Sequence, residues 1–320
     1  MDKIDNVKLN WEIILEPQIS SIQKDYEGTD VRRLFWPLIE MLNSNRVPSK
    51  VILNKGEIAA YSYILPPVGI RDRMVSSIGF LKDEDGNVSR AENMMEWLEG
   101  KARAEKKLLI LDGIYNASFL EYDLLKKNYI KIKRVKMSFP TDQYKTILDE
   151  QNIGKIEEST EMVNSVNINP DLISRIQEEA YASNPDRILL FRDGIKNITY
   201  NILLSGYYGK ILSSPSFVLV SSEGILGSIL VSDGSEEVTM KNIPLIVDFF
   251  THPSYRNSGT GSFILYNSLR NLFLLGFKKA QLWVNENSPA YNFYTKKGFQ
   301  REKDENITYM KDFRESNQGI

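Results

Sequence analysis

The chain has 320 residues, of which 42% are hydrophobic, and this is enough apolar material for one large domain or two ordinary ones. Its formal net charge is −2 and no long block carries one sign, which argues against a nucleic-acid-binding or membrane-surface protein. The absence of cysteine excludes disulfides, cysteine-based zinc sites and a thiol nucleophile, and a histidine-based triad would have to use the single histidine, His252.

The N-terminal half shows the patterns of a hairpin, a strand, a helix, a strand and a helix, in that order. The segments are VILNKGEIAAYSYIL, MVSSIGFL, SRAENMMEWLEGKARAEK, KLLILDG and SFLEYDLLKKNY. A last strand-like run, IKRVKMSF, follows them, and the polar residues 141–155 after it are predicted to form a linker.

The C-terminal half shows a closely related order of elements. Helices are predicted at 170–182, with Asn169 as the N-cap, and at 262–275 and 289–297. Strands are predicted at 217–221 and 225–232, joined as a hairpin, and at 244–251, 279–284 and 308–312.

Two sequence matches relate the halves. The hairpin glycines Gly56 and Gly224 are 168 residues apart, and the pairs Lys126-Lys127 and Lys296-Lys297 are 170 apart. Two matches at nearly the same offset, with the same element order, favour an internal duplication. We therefore predict an α+β fold with mixed α/β sheets: two tandem domains, residues 1–150 and 151–320, each a mostly antiparallel mixed sheet flanked by helices.

The stretch SYRNSGTGSF, residues 254–263, joins a predicted strand to a predicted helix. A helix N-terminus offers free N–H groups and partial positive charge to an anion, and glycines allow the backbone to approach it closely. A dinucleotide fingerprint would need a third glycine, and a Walker A loop would need GxxxxGK[ST]; neither pattern is present. The pattern that fits is Arg-x-x-Gly-x-Gly, formed by Arg256, Gly259 and Gly261, and the alternative is a plain turn before a buried helix.

This loop and a second motif resemble the GNAT superfamily of acyl-CoA-dependent N-acyltransferases. The family's pyrophosphate loop reads Gln/Arg-x-x-Gly-x-Gly/Ala between its fourth strand and third helix. VNENSPAYNFYTKKGF is similar to the family pattern that continues from the next strand, with matches at Asn287, Ala290, Tyr294, Gly298 and Phe299. The resemblance covers residues 155–313 well and the N-terminal half only in plan. It implies acetyl-CoA as cosubstrate and no metal.

The resemblance also implies a set of cofactor-binding residues. They are Phe249, Phe250, Thr251, Arg256, Asn257, Ser258, Gly259, Thr260, Gly261, Ser262, Asn287 and Tyr294. Backbone N–H groups at Phe250 or Thr251 would polarise the thioester carbonyl, as the family's splayed strand does. Asn287 would bond the pantetheine arm, and its alternative role is that of a helix cap or turn residue.

Two residues are candidates for catalysis. Tyr294 would protonate the leaving thiolate, and its alternative role is packing. Asp248 is the nearest carboxylate to the loop and the candidate base. Strand alternation places it opposite Phe249 unless a bulge resets the phase, and its alternative is to face water or pair with a lysine. Glu236 and Glu237 are weaker base candidates, and His252 is interpreted as a solvent-facing turn residue.

The N-terminal half lacks the glycine loop. In its place stand the acidic residues Asp83, Glu84 and Asp85, which would repel a pyrophosphate, so we interpret this half as a degenerate copy. Mycothiol synthase-like acetyltransferases have a similar plan, with a degenerate N-terminal domain before an active C-terminal one. Peptidoglycan aminoacyl-transferases are also tandem, but they use aminoacyl-tRNA, and the near-neutral charge argues against them.

The expected function is that of an N-acetyltransferase, in which a small-molecule or peptide amine attacks acetyl-CoA directly in a ternary complex. No cysteine or histidine nucleophile is available for an acyl-enzyme. The alternative is a non-catalytic acyl-CoA-binding sensor or scaffold. The start, MDKIDNVKLNWEII, lacks the features of a signal peptide, and no run reaches the roughly 18–20 apolar residues of a membrane span. We therefore expect a cytoplasmic monomer or homodimer without nucleic-acid or membrane partners.

Overall fold

The computed structural model describes residues 9–25, 30–65, 72–81, 86–147, 160–182, 184, 187, 203–205, 208–235 and 242–314. Its α-helices are α1 (Trp11–Asp25), α2 (Val31–Asn43), α3 (Asn87–Ala104), α4 (Leu120–Lys126), α5 (Pro170–Tyr181), α6 (Thr260–Leu274) and α7 (Pro289–Lys296). Its strands are β1 (Ser49–Asn54), β2 (Glu57–Ile64), β3 (Arg73–Phe80), β4 (Leu108–Tyr115), β5 (Ile130–Pro140), β6 (Glu161–Asn164), β7 (Phe217–Ser221), β8 (Gly224–Ser232), β9 (Leu245–Thr251), β10 (Lys279–Asn285) and β11 (Gln300–Asp312). Within these ranges, no helix combines the length and the apolar composition needed to cross a membrane.

Some of the sequence predictions concern residues outside the described ranges. These are the acidic stretch Asp83–Asp85, the carboxylates Glu236 and Glu237, and residues 148–155 of the predicted linker. The described start of that linker, Thr141–Ile147, forms a 3-10 helix.

The predicted elements are present with small changes in their bounds, and Asn169 caps α5 by accepting a hydrogen bond from the N–H of Asp171 (2.9 Å). Two differences have physical reasons. Helices α1 and α2 were not predicted, and each contains a proline, Pro17 or Pro37, which argues against a helix in a local reading. Strand β11 begins at Gln300, whereas the sequence pattern predicts a start at 308. The pattern misses the first half of the strand because that half is polar and shows no apolar alternation.

The described residues form two compact units, and their boundaries differ from the predicted division at residue 150. Each unit includes a segment from the other half of the sequence. Unit 1 lies within residues 1–132 and 307–320, and unit 2 within 133–306. Unit 2 therefore contains the part of β5 that pairs antiparallel with β10, from Arg134↔Asn285 to Pro140↔Lys279. Unit 1 contains the end of β11, which pairs antiparallel with β4. Each unit thus completes its sheet with a strand segment from the other half of the sequence.

In unit 1, the strand order is β1-β2-β3-β4 followed by the end of β11. Strands β3 and β4 are parallel and pair from Arg73↔Leu108 to Gly79↔Tyr115, almost their full length. Helices α3 and α4 cover one face of the sheet, and α1 and α2 pack on the aromatic residues of the other face. There the ring of Tyr61 lies over Gly79, where an added Cβ would be 2.2 Å from a ring carbon.

In unit 2, the strand order is β6-β7-β8-β9-β10-β5, followed by the start of β11. Helices α6 and α7 pack on one face of this sheet and α5 packs on the other. Strands β9 and β10 are parallel, but they pair only at Leu245↔Gln281 and Ile246↔Leu282. Beyond these positions the two strands separate.

A bulge accompanies this separation. On β8, Leu230 pairs with Asp248 and Val231 pairs with Ile246, so that Val247 has no register partner there. An extra residue of this kind bends a strand and increases its local twist. It also allows Val247 and Asp248 to lie on the same side of the sheet.

Two glycine substitutions test the packing of unit 1. Gly79→Ala is expected to lower the free energy of unfolding by about 1–3 kcal/mol, because its Cβ would displace the Tyr61 ring. Gly100→Ala is the matched control, since nothing lies within 4 Å of an added Cβ in α3. It should raise the free energy of unfolding by about 0.5–1 kcal/mol. Urea denaturation measures both, and equal effects would contradict the assigned packing.

Candidate active site

A cleft of about 620 Å³ opens in unit 2 where β9 and β10 separate. This volume is in the range of small-molecule sites. The cleft is lined by the end of β9, the loop that follows it, the start of α6, the end of β10, and α7, with the last turn of α5 also contributing. Unit 1 shows no such separation between the described parts of β3 and β4.

The loop between β9 and α6 lines this cleft with Asn257, Gly259, Gly261 and Ser262, and it leaves a run of backbone N–H groups free. Asn257 and Gly259 have left-handed backbone angles, with φ of 60° and 91°. The first N–H of the α6 region with a backbone acceptor is that of Phe263, which bonds to the carbonyl of Gly259 (3.0 Å). Among the described residues, the N–H groups of residues 257–262 have no hydrogen-bond partner. Consecutive free donors at a helix N-terminus form an anion-binding site.

The two loop glycines have different structural reasons. Gly259 is the N-cap of α6 and takes a backbone angle that other residues rarely adopt. Gly261 has ordinary helical geometry, but an added Cβ would lie 3.2 Å from Oγ1 of Thr251 and 3.6 Å from Cζ of Phe249. The missing side chain at Gly261 therefore allows α6 to start close against the end of β9.

Arg256 lines the cleft, but its guanidinium is engaged elsewhere. It donates a hydrogen bond to the carbonyl of Ala180 in the last turn of α5. A cation is favourable at that end of a helix, because the unpaired carbonyls carry partial negative charge. Through Nη2 the guanidinium thus joins the loop to α5, and the role of Arg256 toward a phosphate stays a prediction.

Asp248 is buried between β9 and α5, with 5% of its surface exposed. Nε2 of Gln177 donates to its Oδ2 (3.0 Å), and the hydroxyl of Tyr181 donates to its Oδ1 (3.0 Å). Burial raises the pKa of Asp248 to about 6, although these two donors and the N–H of Phe249 act in the opposite direction. The alternative that Asp248 faces water or pairs with a lysine is wrong, since the carboxylate is bound by an amide and a phenol.

Tyr294 packs on one face of β9, and α5 packs on the opposite face. Its ring packs against Phe249, Phe293 and Phe299, with centroid distances of 6.2, 5.5 and 5.2 Å. It lines the cleft, and its hydroxyl has no hydrogen-bond partner among the described residues. Burial and the charge of Asp248 raise the pKa of Tyr294 well above its usual range, so the phenol remains a proton donor at neutral pH.

Most of the residues expected at the site share the cleft. Nine of the expected cofactor residues line it: Phe249, Phe250, Thr251, Arg256, Asn257, Gly259, Gly261, Ser262 and Tyr294, and so does Asp248. Ser258 and Thr260 lie in the loop without lining the cleft, and their hydroxyls are 2.8 Å apart. Asn287 is exposed, and its N–H donates to Oδ1 of Asn285 (2.9 Å).

Several cleft residues were not anticipated from the sequence. Asn285 and the buried Ser288 line the cleft next to Asn287, and Oγ of Ser288 has no hydrogen-bond partner in the described part of the chain. Tyr181, which also lines the cleft, and the buried Gln177, which does not, come from α5, a helix far from the motifs in sequence. A signal for Gln177 was present, because it is a polar residue on the same buried stripe of α5 as Ile173.

Sequence comparison identifies one part of the chain. Residues 213–301 match the family model described as an acetyltransferase (GNAT) domain. This segment contains the bulged strand β9, the glycine loop and the cleft side of α7. Among curated proteins, no sequence matches the chain.

Comparison with solved structures relates the chain to proteins of similar fold. One is the GCN5-related glucosamine N-acetyltransferase region of a fungal multi-domain GH3 beta-N-acetylglucosaminidase. The sequence identity is 12% and the TM-score is 0.51, and the alignment covers 93% of this chain and 37% of that chain. Another is a conserved protein of unknown function from Staphylococcus epidermidis, with 13% identity, coverage of 82% and 94%, and a TM-score of 0.50. A third is a tandem GNAT protein of the clavulanic acid biosynthesis pathway, with 11% identity, coverage of 85% and 84%, and a TM-score of 0.44. At these identities the first two show a shared fold.

The raised pKa of Asp248 predicts a pH effect on stability. Its folded value of about 6 exceeds the ordinary value of about 4, so the folded state binds more protons between them. Stability should therefore fall as pH rises from about 4 to 6. Asp248→Asn removes this loss, and Oε1 of Gln177, which has no described partner, is available to accept from the new amide.

The measurement is the free energy of unfolding of both proteins across this pH range. Relative to wild type, the Asn variant should gain about 1–3 kcal/mol between pH 4 and pH 7. If the free energies of unfolding of the two proteins changed with pH in parallel, Asp248 would not have a raised pKa in the folded state.

Proposed function

We propose that this chain, whose residues 213–301 form an acetyltransferase (GNAT) domain, is an acyl-CoA-dependent N-acyltransferase that moves an acetyl group from acetyl-CoA to a primary amine. The observation that carries the proposal is the separation of β9 and β10 beside the free N–H groups of residues 257–262. A strand gap takes an extended acyl-pantetheine arm, and the adjacent donors take the pyrophosphate. Both features belong to unit 2, so we expect one acetyl-CoA per chain.

Strand alternation selects the backbone donor for the thioester carbonyl. The N–H of His252 donates to the carbonyl of Leu226 on β8 (2.8 Å). Because successive N–H groups of a strand point in opposite directions, the N–H of Thr251 faces the gap and that of Phe250 faces β8. Thr251 is therefore the donor in this proposal, and Phe250 contributes by packing against α5.

The reaction is a direct displacement. The amine nitrogen bonds to the carbonyl carbon, the N–H of Thr251 stabilises the charge that develops on oxygen, and the carbon–sulfur bond breaks. Asp248, ionised above pH about 6, accepts a proton from the amine, and Tyr294 donates one to the departing sulfur. Tyr294 then recovers its proton by way of the cleft, so that the products are an amide and a free thiol.

A non-catalytic acyl-CoA sensor is the competing function. An unengaged phenol facing the cleft and a buried carboxylate behind it are more useful to an enzyme than to a binding protein. Release of free thiol from acetyl-CoA, screened against polyamines, aminoglycoside antibiotics, lysine and peptide N-termini, tests the enzyme directly. Acetyl-CoA binding without thiol release for any amine would favour the sensor.

The phosphate loop is tested by charge at Gly261. Gly261→Asp places a carboxylate among the expected phosphate donors, and acetyl-CoA affinity should fall at least about tenfold. Gly261→Ala is the matched control, because it brings the same Cβ contact with Thr251 without the charge. Calorimetry should show one site per chain. Two equivalent sites, or equal affinities of the Asp and Ala variants, would contradict the assignment.

The general acid is tested by Tyr294→Phe, which keeps the ring and removes the proton. The single-turnover rate of acyl transfer should fall about 10²-fold, the lower end of the usual range, because a thiolate leaves fairly well without assistance. Acetyl-CoA affinity should stay within about threefold. Tyr291→Phe, a hydroxyl removal on the same helix outside the cleft lining, is the control. A normal rate would make Tyr294 a packing residue.

A further inference from the structure

Helix α5 presents two hydrogen-bond donors to one carboxylate. Gln177 and Tyr181 are four residues apart and therefore lie on the same face of the helix, one turn apart. Each donates to a different oxygen of Asp248, and both distances are 3.0 Å. Gln177 is fully buried, whereas Tyr181 also lines the cleft.

The end of α5 is itself held by the segment that follows β9. Arg256 donates to the carbonyl of Ala180, the residue before Tyr181. Nε2 of His252 lies 3.6 Å from a carboxylate oxygen of Glu179. The helix that carries the two donors is thus fixed at its C-terminal turn next to the strand that carries Asp248. Such support reduces the freedom of the groups that it positions.

We propose that Tyr181 and Gln177 are positioning residues that hold the carboxylate of Asp248 in place to take the proton of the acceptor amine. This inference rests on the proposed function. With both oxygens fixed, the remaining lone pairs of the carboxylate have a defined direction. The two hydrogen bonds also favour the charged form of Asp248 over the neutral form, against the effect of burial.

The groups around Asp248 indicate why two neutral donors are used. Its register partner on β8 is Leu230, and among the described residues the titratable groups that interact with it are Tyr181 from α5 and Tyr294 from α7. Of the cleft cations, Arg256 donates to the carbonyl of Ala180 and Lys297 to the carbonyl of Ile147. A carboxylate paired with a cation would be a weaker base, because its pKa would lie far below neutrality. Neutral donors fix the geometry while the pKa stays near the working pH.

The test is the pH profile of kcat/KM for Tyr181→Phe, measured with an amine that the wild type accepts. Loss of one bond to the charged form should move the acid limb up by about one pH unit. At pH 6 the variant should then have about a fifth of wild-type kcat/KM, and at pH 8 the two should agree within about twofold. A uniform loss at all pH values, or an unmoved limb, would overturn the proposal.

A matched control removes a tyrosine–carboxylate hydrogen bond elsewhere. In Tyr309→Phe the lost bond is to Glu121 in unit 1 (2.9 Å), and the acid limb should not move. A shift as large as that of Tyr181→Phe would overturn the proposal, because it would arise without contact with Asp248.

A readout independent of activity is the melting temperature of the full chain. The loss caused by Tyr181→Phe should be larger at pH 8, where Asp248 is charged, than at pH 5. In the Asp248→Asn background this pH dependence should disappear, and its persistence would overturn the proposal. The proposed function fails if the wild type acylates no amine, and the thermal measurement still decides whether Tyr181 acts on Asp248.

Discussion

The candidate site depends on one interruption of a parallel strand pair. Strands β9 and β10 share two paired positions and then separate, and the bulge at Val247 bends β9 at that point. Backbone groups beyond Ile246 consequently lose a strand partner and face a cleft. Buried backbone polar groups require partners, so this gap is a place for a ligand with its own amides and carbonyl. The glycine loop follows directly and extends the line of free donors to the start of α6.

Unit 1 has a related order of elements, but the parallel strand pair in its described residues is not interrupted. Its parallel strands β3 and β4 stay paired as far as Gly79↔Tyr115, and the ring of Tyr61 occupies the space beside Gly79. The backbone groups are satisfied within the sheet, and aromatic packing with α1 and α2 takes the place of a cleft. Two units of related element order thus differ in whether one strand pair closes.

Unit 2 treats its buried charges in two different ways. Asp304 lies 3.4 Å from the buried ammonium of Lys136, which also lies 4.9 Å from the ring centroid of Trp283. That pair compensates both charges and suits a structural role. In the part of the chain that the structure describes, the donors to Asp248 are neutral, and burial raises its pKa to about 6. A carboxylate whose charge is only partly compensated can exchange a proton near neutral pH, which suits a base.

Features that neighbouring residues encode could be predicted from the amino-acid sequence alone. The order of most elements, with α1, α2 and β6 as exceptions, the Arg-x-x-Gly-x-Gly loop and the position of Tyr294 on a short helix follow from local periodicity and spacing, because neighbours along the chain decide them. Contacts between distant segments could be read only from the folded chain. Gln177 and Tyr181 meet Asp248 across 71 and 67 residues, and the guanidinium of Arg256 turns to α5, 76 residues away. Pairing between distant segments also explains why each unit contains a strand segment from the other half of the sequence. It likewise explains why the charged first half of β11 forms a strand. Such pairings depend on which buried groups find partners in space, and spacing along the chain carries no record of that.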